Sequence, residues 1–176
     1  MAMDSRSRNY RSLLGRAAGF AAVFCVLQLS WQALGDTVVH RLVVDGATVG
    51  AAVALVNVVT PAVHAVAAGT VVHAPGGGLN IINGCDGTET WFLLCAAFVV
   101  APLKWRARAT GLALGTLLVF AVNQLRILAL FYANRSDPEV FNLLHAVVGP
   151  IVVIVVVACF FQAWMAHHAT PYAETA

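Results

Sequence analysis

Charge is what this sequence has least of. Only 10% of its 176 residues are Asp, Glu, Lys or Arg, 60% are hydrophobic, and the mean hydropathy is +0.82. A soluble domain carries nearer a quarter charged residues, so the chain lacks the polar surface needed to cover a water-facing globule. So apolar a chain is not disordered. Its net charge of +2 provides no basic face for nucleic acid. Its four cysteines do not make a disulfide-rich secreted domain. There is no Gly-rich phosphate loop, HExxH or GxSxG, and no internal repeat or low-complexity linker. What remains is a small polytopic membrane protein, with length for one compact bundle and no second domain.

The long apolar runs are what is present. A hydrocarbon core of about 30 Å takes roughly 20 apolar helical residues, and four windows qualify: 17–34, 88–103, 109–131 and 146–165. The first follows Arg6, Arg8, Arg11 and Arg16 but exceeds a signal-peptide core, and no small-x-small cleavage site follows it. It therefore reads as a retained anchor. A fifth stretch, 46–72, is free of charge but is broken by Asn57, Thr60-Pro61, His64 and Gly69. Loop charges decide its placement. The N-terminal arginines and the cluster Lys104, Arg106, Arg108 belong on the cytoplasmic side, and four spans put both there, whereas a fifth would separate them. The expectation is an all-α membrane protein, a bundle of about four transmembrane helices in a single domain. It has a cytoplasmic tail at 1–16, an external segment at 35–87 and a cytoplasmic tail at 166–176. Within the external segment, 47–63 reads as a helix lying in or dipping into the outer interface and ending near Pro61. The runs 70–73 and 79–83, around a Gly/Pro loop at 74–78, read as a β-hairpin.

Reactive groups at membrane depth are costly and therefore informative. Arg126 lies eighteen positions after Arg108 in the third window, which at 1.5 Å per residue is roughly 27 Å from the cytoplasmic cluster. Cys85 lies nineteen positions before Lys104, or roughly 28 Å by the same rise. His145 immediately precedes the last apolar run. Thiol, guanidinium and imidazole thus share one depth on one side. A thiolate is a nucleophile whose pKa falls beside an Arg or at a helix N-terminus, and Gly84-Cys85-Asp86-Gly87 leads into a span. An imidazole can carry a proton to a leaving amine. A fixed guanidinium can stabilise an oxyanion or the thiolate. Together they describe a cysteine peptidase or transpeptidase. Cys25, Cys95 and Cys159 fall within spans and read as packing residues. His40, His64 and His73 match no ligand spacing, so neither metal nor cofactor is expected.

At these residues the sequence resembles the exosortase/archaeosortase family of membrane-embedded cysteine transpeptidases. The matching pieces are Asn83-Gly84-Cys85-Asp86-Gly87 before a span, Asn123-Gln124-Leu125-Arg126-Ile127 late in the next, and His145 opening the last. The similarity covers roughly residues 10–165 and is greatest to the short, single-module members; larger ones carry additional spans. The resemblance implies Cys85 as nucleophile, completed by Arg126 and His145. It also implies substrates that are exported proteins with a C-terminal signal made of a short motif, a hydrophobic span and a basic cluster. Cleavage at the motif would leave a thioester on Cys85, then passed to an amine or water. Asn123, on the same helix face as Arg126, is placed to orient the guanidinium. Glu89, Asn142 and Asp86 are further supporting candidates. The hairpin, leading directly into Cys85, offers an edge for an extended substrate strand.

The expected setting is the bacterial inner membrane, with both termini cytoplasmic, the site facing outward, and lipid and exported proteins as partners. The reading from another class is a non-catalytic membrane subunit of an envelope export or polysaccharide system, in which Arg126 and His145 only glue spans together. A small transporter is disfavoured because no polar groups mark a midplane path.

Overall fold

The computed structural model describes residues 2–35, 37–81 and 84–169, with side chains from residue 12 onward. Five helices follow one another: α1 Ala2–Ala33, α2 Val38–Val59, α3 Thr88–Val100, α4 Trp105–Ser136 and α5 Pro138–His168. Four contain segments long and apolar enough to cross a membrane: Ser12–Ala33, Val38–Val59, Trp105–Ser136 and Pro138–His168. The all-α membrane architecture expected from the sequence is what the chain adopts.

The four are not the same four. The window at 88–103 yields only the 13-residue α3, about 20 Å of helix against a core of about 30 Å. Pro102 disfavours helical backbone at the preceding residue, and Ala101 is already extended at φ −67°, ψ 142°. Extended residues rise more than helical ones, so the short helix still carries Cys85 up to the level of Arg126. Conversely, the interrupted stretch expected outside the bundle contains the 22-residue α2. The residues that lowered its hydropathy are joints at its far end. The Asn57 amide donates to Ala65 O (2.8 Å) and accepts from Ala65 N (2.7 Å), stitching helix to sheet. Pro61 opens a single 3₁₀ turn, Pro61–Val63. α2 is wound in wide i→i+5 turns from Leu42 to Val49 and lies along the C-terminal half of α4. There Gln124 Nε2 donates to Thr48 O (3.3 Å), and the hydroxyls of Thr60 and Tyr132 share a hydrogen bond of 2.5 Å.

The hairpin is present, with Val71 opposite Asn80 and Val72 opposite Leu79; residues 82 and 83 lie outside the described residues. A strand that the sequence did not suggest, β1 (Val66–Ala68), pairs with β2 (Val71–His73), which pairs with β3 (Leu79–Asn80), all antiparallel. The sheet does not stand apart. Val72, Leu79 and Ile81 are buried in one core with Val49, Ala52 and Val56 of α2, Ile127, Leu130 and Phe131 of α4, and Cys85 itself.

A second core joins α3, α4 and α5 through Leu94, Phe98, Val119 and Val157. It depends on two glycines. A Cβ at Gly111 would lie 2.5 Å from Phe98 and 2.6 Å from Trp164, and one at Gly115 would lie 2.5 Å from Leu94. Helix association in lipid depends on such close approach. Cys25 and Cys159, expected to pack, are instead exposed on the bundle surface. α5 begins well before its apolar run, because Pro138 takes the first helical position and Asp137 Oδ1 accepts from Glu139 N (2.8 Å) and Val140 N (3.3 Å).

Gly111→Ala is expected to destabilise the detergent-solubilised protein by about 1–3 kcal/mol through overpacking. Gly15→Ala, where a Cβ meets nothing within 4 Å, should hold or raise stability, because alanine favours helix over glycine. Thermal unfolding of the two variants checks this, and equal midpoints would refute the packing account.

Candidate functional site

Cys85 sits in a tight turn between Gly84 (φ +89°) and Gly87 (φ +85°), backbone conformations that disfavour other residues. Asp86 closes the turn onto α3: Oδ2 accepts from the Thr88 hydroxyl (2.9 Å) and Oδ1 from Thr88 N (3.3 Å). Two α4 residues, three apart and so on one helix face, hold this turn from the other side. Asn123, 2% exposed, donates through Nδ2 to Cys85 O at 3.0 Å. Arg126 donates through Nη1 to Gly84 O at 3.0 Å. The fit is close: a Cβ on Gly87 would lie 2.9 Å from Asn123 Cγ.

The thiol then faces α5. Cys85 Sγ lies 3.3 Å from His145 Nδ1, and Arg126 Nη2 donates to Sγ at 3.8 Å and to His145 O at 3.5 Å. Residues from a turn and two helices, distant in sequence, thus meet around one sulfur atom. His145 does not open its helix as hydropathy suggested but lies within it, in a stretch of wide turns from Leu144 to Val148. One turn earlier, Phe141 lies nearly parallel to the imidazole, with ring centroids 5.5 Å apart and planes at 8°.

The supporting residues divide. Asn123 reaches the backbone of Cys85 rather than the guanidinium, and Asp86 is used in capping α3. Glu89 is exposed and lines a groove of about 380 Å³ with Gln28, Gln32 and His40. Asn142 is exposed, and no hydrogen bond among the described residues joins it or Glu89 to the cluster. Phe141, the neighbour of the imidazole, went unnoticed in the sequence. Its signal was an i,i+4 relation to His145, visible only if the helix is known to begin before residue 141.

The electrostatics differ from expectation. Burial pushes the Cys85 thiol up from its ordinary pKa, Arg126 opposes this, and Asp86 adds to it; the net direction is upward. The expected lowering by a helix N-terminus fails because Asp86, not the sulfur, takes the Thr88 N–H, and its carboxylate brings negative charge close to the thiol. Cys85 Sγ and His145 Nδ1 thus lie in contact, 3.3 Å apart, in surroundings whose burial disfavours the thiolate.

Residues 11–162 match the family model described as transmembrane exosortase. No curated protein and no solved structure matches the chain.

A raised thiol pKa means less thiolate at any given pH, so Cys85 alkylation by iodoacetamide should keep rising through and above about pH 8.5, the ordinary thiol value. Arg126→Gln removes the one lowering influence and should move the profile to still higher pH. Mass spectrometry of the Cys85 peptide across pH 5–10 reads this out. A plateau beginning below about pH 7, as an ion pair gives, would contradict it.

Proposed function

Proceeding from the finding that this chain belongs to the transmembrane exosortase family, we propose that it is a membrane-embedded cysteine transpeptidase. It cleaves C-terminal sorting signals of exported proteins through a thioester on Cys85. The observation that carries this reading is the convergence of Cys85 Sγ, His145 Nδ1 and Arg126 Nη2 within 3.3 to 3.8 Å of the sulfur. A scaffold whose Arg and His only join helices has no need to aim both at a thiol.

The chemistry follows from that arrangement. Cys85 Sγ attacks the scissile carbonyl carbon while its proton passes to His145 Nδ1. The guanidinium of Arg126 stabilises the negative charge that moves from sulfur to the carbonyl oxygen. Collapse breaks the C–N bond, and the imidazolium gives its proton to the leaving amine, which departs with the membrane segment. An acceptor amine or water then attacks the thioester, His145 takes its proton, and the thiol is restored. In the proposed setting both termini are cytoplasmic, the protein lies in the bacterial inner membrane, and the site faces outward, where an exported protein's motif emerges from its own span. The sheet beside Cys85 leaves β3 as an edge suited to an extended motif.

Cys85→Ala, Arg126→Ala and His145→Ala are each expected to lower processing of a co-expressed protein ending in motif, span and basic cluster by on the order of 10³-fold or more. Membrane insertion should be unchanged. Immunoblotting of precursor and product measures this, and full processing by Cys85→Ala would overturn the proposal. A mass shift on the Cys85 peptide that hydroxylamine removes would identify the thioester.

A further inference from the structure

We propose that Gly149 and Pro150 are positioning residues of this site, a step that rests on Cys85, Arg126 and His145 forming one reaction centre. Together they build the wide turn that aims the His145 imidazole at the thiol and leaves the His145 carbonyl free for Arg126.

In an ordinary helix the Gly149 N–H would bond to His145 O, four residues back. Here it bonds to Leu144 O, five back. A helix wound this way would next satisfy His145 O from residue 150, but that residue is proline and has no N–H. Both intrahelical donors for the His145 carbonyl are thereby removed. A carbonyl left without a partner is costly away from water, and Arg126 Nη2 supplies one at 3.5 Å. The same guanidinium already holds Gly84 O and reaches the Cys85 sulfur. The missing intrahelical bond of α5 is thus what admits Arg126 between the nucleophile turn and the imidazole.

Gly149 is required twice over. A Cβ there would lie 2.6 Å from Leu144 O, a clash that belongs to the wide turn, and 2.7 Å from Arg126 Nε, a clash with the guanidinium. Only glycine permits the turn and the arginine together. Wide turns within otherwise regular helices recur at functional sites, and a Gly-Pro pair is a sequence-encoded way to make one here.

The test uses the full chain in detergent micelles, with iodoacetamide alkylation of Cys85 at neutral pH as the chemical readout and thermal unfolding as the structural one. The wild type should be alkylated about tenfold or more faster than His145→Ala, the reference for a site without its base. Pro150→Ala restores an N–H that takes the His145 carbonyl from Arg126 and uncouples the imidazole from the guanidinium, so its rate should fall to near that of His145→Ala. Its unfolding midpoint should hold or rise, because alanine favours helix over proline. Gly149→Ala should lose the same rate. A loss of reactivity without a loss of stability is what a merely structural role would not produce. Wild-type alkylation of Pro150→Ala, or a fall in both rate and midpoint, overturns the inference alone. A wild type no faster than His145→Ala overturns it together with the reaction centre on which it rests.

Discussion

One guanidinium holds three otherwise separate pieces of this protein together. Arg126 donates to the carbonyl of Gly84, to the sulfur of Cys85 and to the carbonyl of His145, so the turn before α3, the C-terminal half of α4 and the wide turn of α5 are fixed relative to one another by a single side chain. In a chain with so few charges, a cation at this position is costly unless it is both partnered and needed. Its partners are mostly neutral carbonyls rather than a carboxylate. Among the described residues its hydrogen-bond partners thus include no carboxylate, and in the proposed reaction that charge would face the one developing on the substrate. Asn123, one turn earlier, does the neutral part of the same work by holding the Cys85 carbonyl.

The surroundings of the sulfur follow from this. The hairpin, the C-terminal half of α4 and part of α2 bury Cys85 in an apolar core, which disfavours the thiolate. Asp86, which ends the turn and begins the helix, adds to that effect, while Arg126 offsets part of it. Burial thus disfavours the thiolate even though an imidazole nitrogen lies 3.3 Å from the sulfur.

Much of this was legible in the sequence, and the reasons for the rest are specific. Charge placement and helical rise brought Cys85, Arg126 and His145 to one depth, because those rules depend only on chain geometry and bilayer thickness. The hairpin was legible from its β-branched runs and Gly/Pro loop, but β1, three small and apolar residues, carries no signal of its own and exists because β2 offers an edge. Helix lengths were misjudged where hydropathy was used as a ruler. α3 is cut short by Pro102 and completed by extended chain. α2 was discounted for Asn57 and Pro61, which are its connection to the sheet. Phe141 and the wide turn around His145 were not legible, since both depend on a helix that starts at an Asp-Pro cap rather than at the first apolar residue.

The separation of 60 positions between Cys85 and His145 also has a temporal meaning. A membrane protein is made from its N-terminus, so the cysteine turn and α3 are synthesised before either helix that completes the site. Arg126 arrives with α4, and the imidazole only when the helical hairpin joined at Asp137-Pro138 has folded back. During synthesis the thiol is thus without its imidazole neighbour until the last helix has folded back onto it.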